Sequence, residues 1–360
     1  MFFTILLFIL FFGLHPKGFH FKNNVKRLTD SPGIEFGEFG IAYTDQFIES
    51  GEATDFSIEV VIRPGENSEK VFSHILTIHN GNDDSQLMLG QWGENLIFMN
   101  GDDYENKKRL PRITIDASAY SPTELLLSLT SNNEGTKVYL NGQLARELKD
   151  FTLKLPEGAA TSRIILGNSI YGKHSWVGIV KALAFYKTVL SETQIALTYF
   201  NWLKSQSLSY DSKGKALVLY TFQEKGTSAI DLTGHNHTLL IPGTMKPLKT
   251  KFLKAENKFP NIVSTTIWDF LINLFGFFPF GFSLSLLISK QINSSSARSL
   301  FIVACAGFFL SLFIETVQTW IPSRSSDVYD LGLNTVGAFL GAVILVMARI
   351  GEKHIRIFKY

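Results

Sequence analysis

The chain has 360 residues, a formal net charge of +2, 45% hydrophobic residues and only 18% charged ones. So little charge, with no basic stripe interleaved with aromatics, excludes nucleic acid as the main partner. The one cysteine, Cys305, stands in an apolar run, so no intrachain disulfide is available and the redox compartment cannot be read from cysteine usage.

The first element is apolar. Residues 2–14 are interrupted only by Thr4 and Gly13, and a helix over them rises roughly 20 Å, short of a hydrocarbon core of about 30 Å. Residues 1–23 therefore read as an N-terminal transmembrane anchor or a signal segment. No Lys or Arg precedes the apolar stretch and no small-x-small site follows it, which favours the uncleaved anchor. Lys17, Lys22, Lys26 and Arg27 fall on the wrong side for the positive-inside rule.

Residues 24–248 read as an extracytoplasmic domain of short strands and turns. Apolar and polar side chains alternate from Phe56 to Ile62 until Pro64-Gly65 ends the run. Strands are expected over 73–78, 86–89, 95–99, 124–130, 136–140, 163–166 and 178–186. Asn141-Gly142 after Val138-Tyr139-Leu140 predicts a hairpin, because a type I′ turn needs positive φ at both central residues. Ser191 is placed to cap a helix over 192–202, in which Ile195, Leu197, Tyr199 and Trp202 are apolar. Many short strands with Gly and Asn turns predict an antiparallel β-sandwich.

Several of these segments resemble the laminin-G-like, concanavalin A-like lectin fold, a jelly-roll sandwich. They are Phe56-Ser57-Ile58-Glu59 with Arg63-Pro64, Lys137 to Gly142, Ile165-Leu166-Gly167 leading to Trp176-Val177-Gly178-Ile179, and Ala184-Phe185-Tyr186 before Leu190-Ser191. Leu219-Tyr220-Thr221-Phe222 with Asp231 to Asn236 resembles the opening strand of such domains, yet lies at the C-terminal end, as a permuted closing strand would. The resemblance implies a fold and, through it, a carbohydrate- or protein-binding role; each residue quoted also has a packing or turn role.

Residues 261–349 hold three apolar stretches, 267–289, 300–320 and 331–348, each about long enough to span a bilayer. Lys290 and Arg298 bracket the first loop. Arg349, Lys353, Arg356 and Lys359 follow the third stretch, the last three within a basic tail over 350–360. The positive-inside rule puts both charge groups in the cytoplasm, and so the sandwich and the 320–330 loop outside a multi-pass plasma-membrane protein. Trp268 and Trp320 then share the outer interface.

Ionisable and amide side chains in such segments are costly and mark candidate sites. Glu315 and Gln318 share a helix face; Asp269 and Asn273 are four apart on the preceding helix, and Asp330 and Asn334 four apart on the next. Arg324 and Asp327 lie in the short loop between. Two arrangements fit: a hydrogen-bonded staple joining three helices, or a pocket facing the outer leaflet. Asn273 with Phe277-Phe278-Pro279-Phe280-Gly281-Phe282, Glu315-x-x-Gln318, Arg324-x-x-Asp327-x-x-Asp330 and Asn334-x-x-Gly337 resembles the VanZ-like membrane family, named for low-level teicoplanin resistance. The resemblance supplies no biochemical activity. It represents the family's first helix by the short N-terminal segment, with the sandwich inserted after it. Gly337-x-x-x-Gly341 offers a close-packing face.

No cofactor is expected. Asn80 to Asp84 and Asn100 to Asp103 carry oxygen ligands of the kind Ca²⁺ takes, but Asn, Gly and Asp are also ordinary turn residues. His235 and His237 lack a zinc-site spacing with other ligands. No Gly-x-Ser-x-Gly, phosphate loop or metalloprotease motif is present. Two functions follow. One is a cell-envelope protein whose sandwich binds a glycan or a partner protein while the helices meet the bilayer. The other is a membrane enzyme acting on a lipid-linked or phosphorylated envelope substrate, with Glu315 as general acid or base, Arg324 as anion clamp, and Asp327, Asp330 and Asn334 as orienters.

Overall fold

A computed structural model describes the chain apart from residues 16–21, 46–54, 66–70, 82–84, 102–109, 121–122, 157–161, 207, 209–215, 246, 250–251, 254–263, 292–295, 322–323, 325 and 358–360. The side chains of 120, 264–267, 269, 290–291 and 352–357 are also outside the description. The chain divides into two units, His20–Leu248 and a second made of Met1–Phe19 with Lys249–Tyr360.

The first unit is an antiparallel sandwich. One sheet contains β1 (Val25–Arg27), β2 (Ile34–Phe36), β4 (Phe56–Pro64), β9 (Leu125–Asn132), β10 (Gly135–Leu140), β11 (Gln143–Leu148), β13 (Gly178–Tyr186) and β14 (Ala216–Tyr220). Its order is β1-β2-β13-β4-β9-β10-β11. The other contains β3 (Ala42–Thr44), β5 (Ser73–His79), β6 (Leu87–Trp92), β7 (Asn95–Asn100), β8 (Arg112–Asp116), β12 (Arg163–Leu166), β15 (Ser228–Ala229) and β16 (Leu239–Leu240), in the order β15-β16-β3-β12-β5-β6-β7-β8. Between the sheets, the alternate residues Phe56, Ile58, Val60 and Ile62 of β4 join Leu125, Leu127, Leu129, Phe98 and Trp176 in one core. This is the alternation expected of a strand with one face on a core.

Asn141 and Gly142 both have positive φ, 51° and 77°, and Leu140 pairs with Gln143 across the turn. That is the two-residue hairpin the dipeptide predicts. Its second strand, β11, was not foreseen. β11 is exposed along nearly its whole length at a sheet edge, so it has no buried face to write an apolar alternation into the sequence. The strand at the C-terminal end of the domain, β14, pairs antiparallel with Leu183–Tyr186 of β13. The N-terminal β2 takes the same edge of β13 further along, at Gly178–Val180.

Helix α2 (Glu192–Ser205; α1 is the N-terminal Phe2–Leu14) lies on the outer face of the first sheet. Ser191 caps it, with its Oγ accepting from the Gln194 N–H and the Gln194 side chain accepting from the Ser191 N–H. Ile195 and Trp202 pack on Val61, Leu126, Ala182 and Tyr186. Helix cover explains why β4 is buried on both faces and places Glu59 under α2.

The second unit is helical. The first apolar stretch of the C-terminal region is two helices, α3 (Ser264–Gly276) and α4 (Phe278–Gln291), where one continuous span was expected. Pro279 accounts for the break: its ring lacks an N–H and clashes with the preceding turn, so it is tolerated in the first turn of a new helix and not within an old one. α5 (Ser296–Gln318) and α6 (Val328–Ile357) follow. Three segments, Phe270–Ser289, Ser296–Gln318 and Val328–Gly351, are long and apolar enough to cross a membrane. α1 joins them: Ile9 is buried among Phe277, Phe280, Val303 and Ile314, and Gly13 lets the Ile314 side chain approach closely.

Small residues permit close helix crossing. A methyl on Gly281 would collide with the Ala338 carbonyl, one on Gly337 with the Leu274 carbonyl, and one on Gly341 with the Phe278 carbonyl. Gly337 and Gly341 thus make a backbone-to-backbone seam with α3 and α4, the close packing that small-xxx-small patterns support.

Candidate functional site

The membrane-segment polar residues gather where α5 ends and α6 begins. Glu315 is 1% exposed. Its Oε2 accepts the Asp327 N–H at 2.8 Å, and the Ser326 side chain hydrogen-bonds to the same carboxylate. Asp327 in turn caps α6, its Oδ1 accepting the Tyr329 N–H at 2.8 Å. The carboxylate of one helix therefore holds the first turn of the next.

Asn273 Nδ2 donates to Asp330 Oδ1 at 2.5 Å, tying α3 to the first turn of α6. Deeper, Asn334 Nδ2 donates to Ser311 Oγ at 2.9 Å, joining α6 to α5. Asn334 is buried and its Oδ1 has no hydrogen-bond partner among the described residues.

Gln318 and Arg324 reach the other way. Gln318 Nε2 donates to the Gly13 carbonyl at 2.7 Å. Arg324 Nη2 donates to the Phe12 carbonyl at 2.8 Å and the His15 carbonyl at 3.1 Å, and its Nε also donates to the His15 carbonyl at 3.3 Å. The last carbonyls of any helix lack intrahelical donors, and apolar surroundings make an unpaired carbonyl expensive. Two long side chains supply what the end of α1 lacks.

Of the eight residues singled out from the sequence, seven make these helix-joining hydrogen bonds, as separate pairs. The eighth is Asp269, whose position is on α3 and whose side chain lies outside the described residues. The sequence reading missed Ser311 and Ser326. Ser311 had a signal, being four residues before Glu315 on one helix face; Ser326 had none, since a loop serine carries no periodicity. The carbonyl targets of Gln318 and Arg324 are main-chain atoms more than 300 residues away and leave no mark on the sequence. Trp268 and Trp320 are both largely exposed, at the start of α3 and just after α5.

The sandwich has its own buried polar groups. Glu59 is fully buried between β4 and α2, accepting from Tyr186 Oη at 3.1 Å and Ser128 Oγ at 3.4 Å, with Thr198 of α2 as a third partner. Burial pushes its carboxyl up to about 7, partly offset by those hydrogen bonds. His74 and His174 stack with ring centroids 5.0 Å apart. Burial, then the neighbouring His174 and His79, holds His74 well below the usual histidine range and keeps it neutral. Asp231 organises the turn before β16: Oδ1 accepts from the Leu219 and Thr233 N–H groups, and Oδ2 from the His237 N–H. The Asp231 to Asn236 motif is thus a turn-building device. No metal-holding group of three or more His, Cys, Asp or Glu occurs among the described residues. The Ca²⁺ candidates Asn82, Asp83, Asp84, Asp102 and Asp103 lie outside them.

A β-sandwich set between the first helix and the rest of an apolar helical bundle defines a multi-pass membrane protein with an inserted extramembrane domain. Residues 193–349 match the VanZ/LLP1 family model, a match that begins within α2, and residues 40–196 match the Concanavalin A-like lectin/glucanases superfamily. The chain is thus similar to the VanZ/LLP1 family over its membrane helices and to the concanavalin A-like superfamily over much of its sandwich. No curated protein matches the chain. Among solved structures it is similar to the Ruminococcus gnavus IT-sialidase CBM40 bound to alpha2,3 sialyllactose, with 17% identity, a TM-score of 0.36, and coverage of 47% of this chain and 97% of that one. It is also similar to the Botulinum neurotoxin serotype D binding domain, with 14% identity, a TM-score of 0.38, and coverage of 50% and 45%. A third is the native heptameric SAP-like pentraxin from Limulus polyphemus, with 11% identity, a TM-score of 0.35, and coverage of 50% and 83%.

Proposed function

We propose that this is a cell-envelope protein whose sandwich, on the extracytoplasmic side, binds an envelope glycan or glycan-bearing partner while the VanZ-like bundle anchors it. The observation that carries this reading is the insertion itself. The two ends of the sandwich are hydrogen-bonded side by side, Asn23 to Pro242 and Gly243, so the domain stands as a separate module between α1 and α3. The charge pattern of Lys290, Arg298 and Arg349 supports the outward orientation. Much of both outer faces is covered: α2 lies over the middle of one, and the buried Thr77, Met88, Ile97 and Met99 occupy the middle of the other. Recognition therefore falls to the loops. In this reading Glu315, Arg324, Asp327, Asn273, Gln318 and Asp330 serve the bundle as a staple, and teicoplanin resistance is the phenotype to examine.

A glycan array of cell-envelope polysaccharides, probed with the detergent-purified full chain, tests the reading. Binding that is lost when the sandwich loops are substituted supports it. No binding to any envelope glycan, with no change in teicoplanin susceptibility on expression, overturns it.

One observation favours the enzyme reading, in which Glu315 acts as acid or base on a lipid-linked substrate with Arg324 as anion clamp. Asn334 Oδ1 is buried without a partner among the described residues, one helical turn from the Glu315 level through Ser311. A substrate hydroxyl, which can donate to it, would complete it.

A further inference from the structure

The amphipathic logic of α2 fails on its outer side. Ile195, Thr198 and Trp202 are buried against the sheet, as a surface helix requires. Yet Leu197, Phe200 and Leu203, at 41%, 51% and 60% exposed, form a second apolar stripe facing away from it. The Lys204 ammonium sits 4.3 Å from the centre of the Phe200 ring.

The topology places the C-terminal turn of this helix at one end of the sandwich. Trp202 Nε1 donates to Glu124 Oε1 at 2.7 Å, and the next residue, Leu125, pairs with Ile62 near the end of β4. That end of β4 meets the start of β13, where Pro64 and Phe36 both pair with Gly178. The Gly37 N–H then donates to the Asn24 carbonyl, so the chain enters the domain here. It leaves here too, since Asn23 is bonded to Pro242. The β6–β7 turn shares the end: Gln91 Nε2 donates to Gly65 and Gly93, and the Gly65 N–H donates to Val177. Trp92 in that turn is 51% exposed and Val177 is exposed beside it. Lys22, Lys173 and Lys204 are exposed at the same end.

Exposed Trp, Phe and Leu with lysines among them is the side-chain mixture of a surface resting in the headgroup layer. Both connections leave from this end. The shorter, from Leu14 of α1 to Asn23, is about nine residues and spans at most about 30 Å when extended. We propose that this end of the sandwich, through Phe200, Leu203, Trp92 and the lysines around them, docks on the phospholipid surface of the membrane that the chain's own helices cross. The inference rests on the chain being a membrane protein and is independent of any glycan. Docking pins the domain in one orientation and turns the β9–β10 end away from the bilayer.

The test uses the full chain with Cys305→Ala, reconstituted in vesicles of phosphatidylcholine and phosphatidylglycerol. An environment-sensitive fluorophore is attached at Leu203→Cys, at Trp92→Cys, or at Asn133→Cys in the β9–β10 turn at the opposite end. The first two fluorophores are expected to be blue-shifted, quenched by headgroup spin-labelled lipid, and to lose most of their quenching by aqueous iodide. Asn133→Cys is expected to show the reverse. Iodide quenching of the Leu203 and Trp92 fluorophores equal to that at Asn133 overturns the proposal. Shielding from iodide without quenching by lipid also overturns it, and identifies a protein covering, such as a second copy, instead. Lys204→Glu with Lys173→Glu is expected to restore iodide access at Leu203 in anionic vesicles; unchanged shielding in that variant contradicts the headgroup assignment.

Discussion

Asn23 and Pro242 are 219 residues apart in sequence, and the Asn23 Nδ2 donates to the Pro242 carbonyl at 2.7 Å. The same amide group also donates to the Ile41 carbonyl at 2.8 Å, while its Oδ1 accepts the Ile41 N–H at 2.9 Å. One side chain thus fastens the entry and the exit of the sandwich to each other and to the strand between them. A domain whose ends lie together can be inserted into another fold without distorting it, which is how a β-sandwich comes to interrupt a helical bundle after its first helix.

Asn23→Ala is therefore expected to destabilise the sandwich by about 2–3 kcal/mol, because buried backbone groups are left unpaired. Asn23→Asp is expected to be worse, since it removes both donors and sets a carboxylate against two carbonyls. Urea unfolding followed by tryptophan fluorescence of Trp176, in the core, reports the loss.

Glu59 makes the sandwich sensitive to pH in a direction opposite to most carboxylates. Its folded value, about 7, stands above the ordinary 4.5. The folded state therefore holds a proton that the unfolded state releases as pH rises between these values, and stability falls across that window. Below about pH 4.5 the group is protonated in both states and costs nothing. Glu59→Gln imitates the protonated form. The variant is expected to match the wild type near pH 4 and to exceed its stability by about 3 kcal/mol at pH 8. The comparison is between variant and wild type at each pH, because neutral His74 adds an opposite dependence below its ordinary range. Equal stabilities at pH 8 would contradict the assignment.

In the bundle, Gly281→Val and Gly337→Val are expected to separate α4 and α3 from α6, since each side chain would meet a carbonyl and not a flexible partner. Detergent-solubilised protein should melt well below the wild type, whereas Gly332→Ala, in open space, should not. A wild-type melting curve for Gly337→Val would remove the close seam from this account.

Gln318→Ala and Arg324→Ala should each free the end of α1, lowering stability by about 1–2 kcal/mol and raising hydrogen exchange in residues 2–14. Glu315→Gln keeps an acceptor for the Asp327 N–H and is expected to melt near the wild type. If that conservative variant keeps its stability and its envelope phenotype, the carboxylate is structural. If it keeps stability and loses the phenotype, the enzyme reading gains the residue it needs.

The sandwich was legible in its longer strands with a buried face and where a turn demands a special backbone, as at Phe56 to Ile62 and Asn141-Gly142; the three-residue β2 and β3 also bury a face but are too short for their alternation to stand out. It was illegible at β11, which buries no face, and at β8, whose short run lies beyond residues 102–109 at the sheet edge. The membrane spans were legible by length and apolarity, except that Pro279 divides the first. Polar residues in the spans announced themselves by their cost. Their partners did not: Arg324 read as an anion clamp in a loop, and only the fold brings the α1 carbonyls to it.

The orientation of the sandwich tests the central claim most directly. In intact cells expressing the full chain with Cys305→Ala, single cysteines at Asn133, Ser325 and Ser295 are treated with a membrane-impermeant thiol reagent. Asn133→Cys and Ser325→Cys are expected to be labelled, and Ser295→Cys only after permeabilisation. Labelling of Ser295→Cys in intact cells, with Asn133→Cys protected, would place the sandwich in the cytoplasm and contradict the envelope function proposed for it.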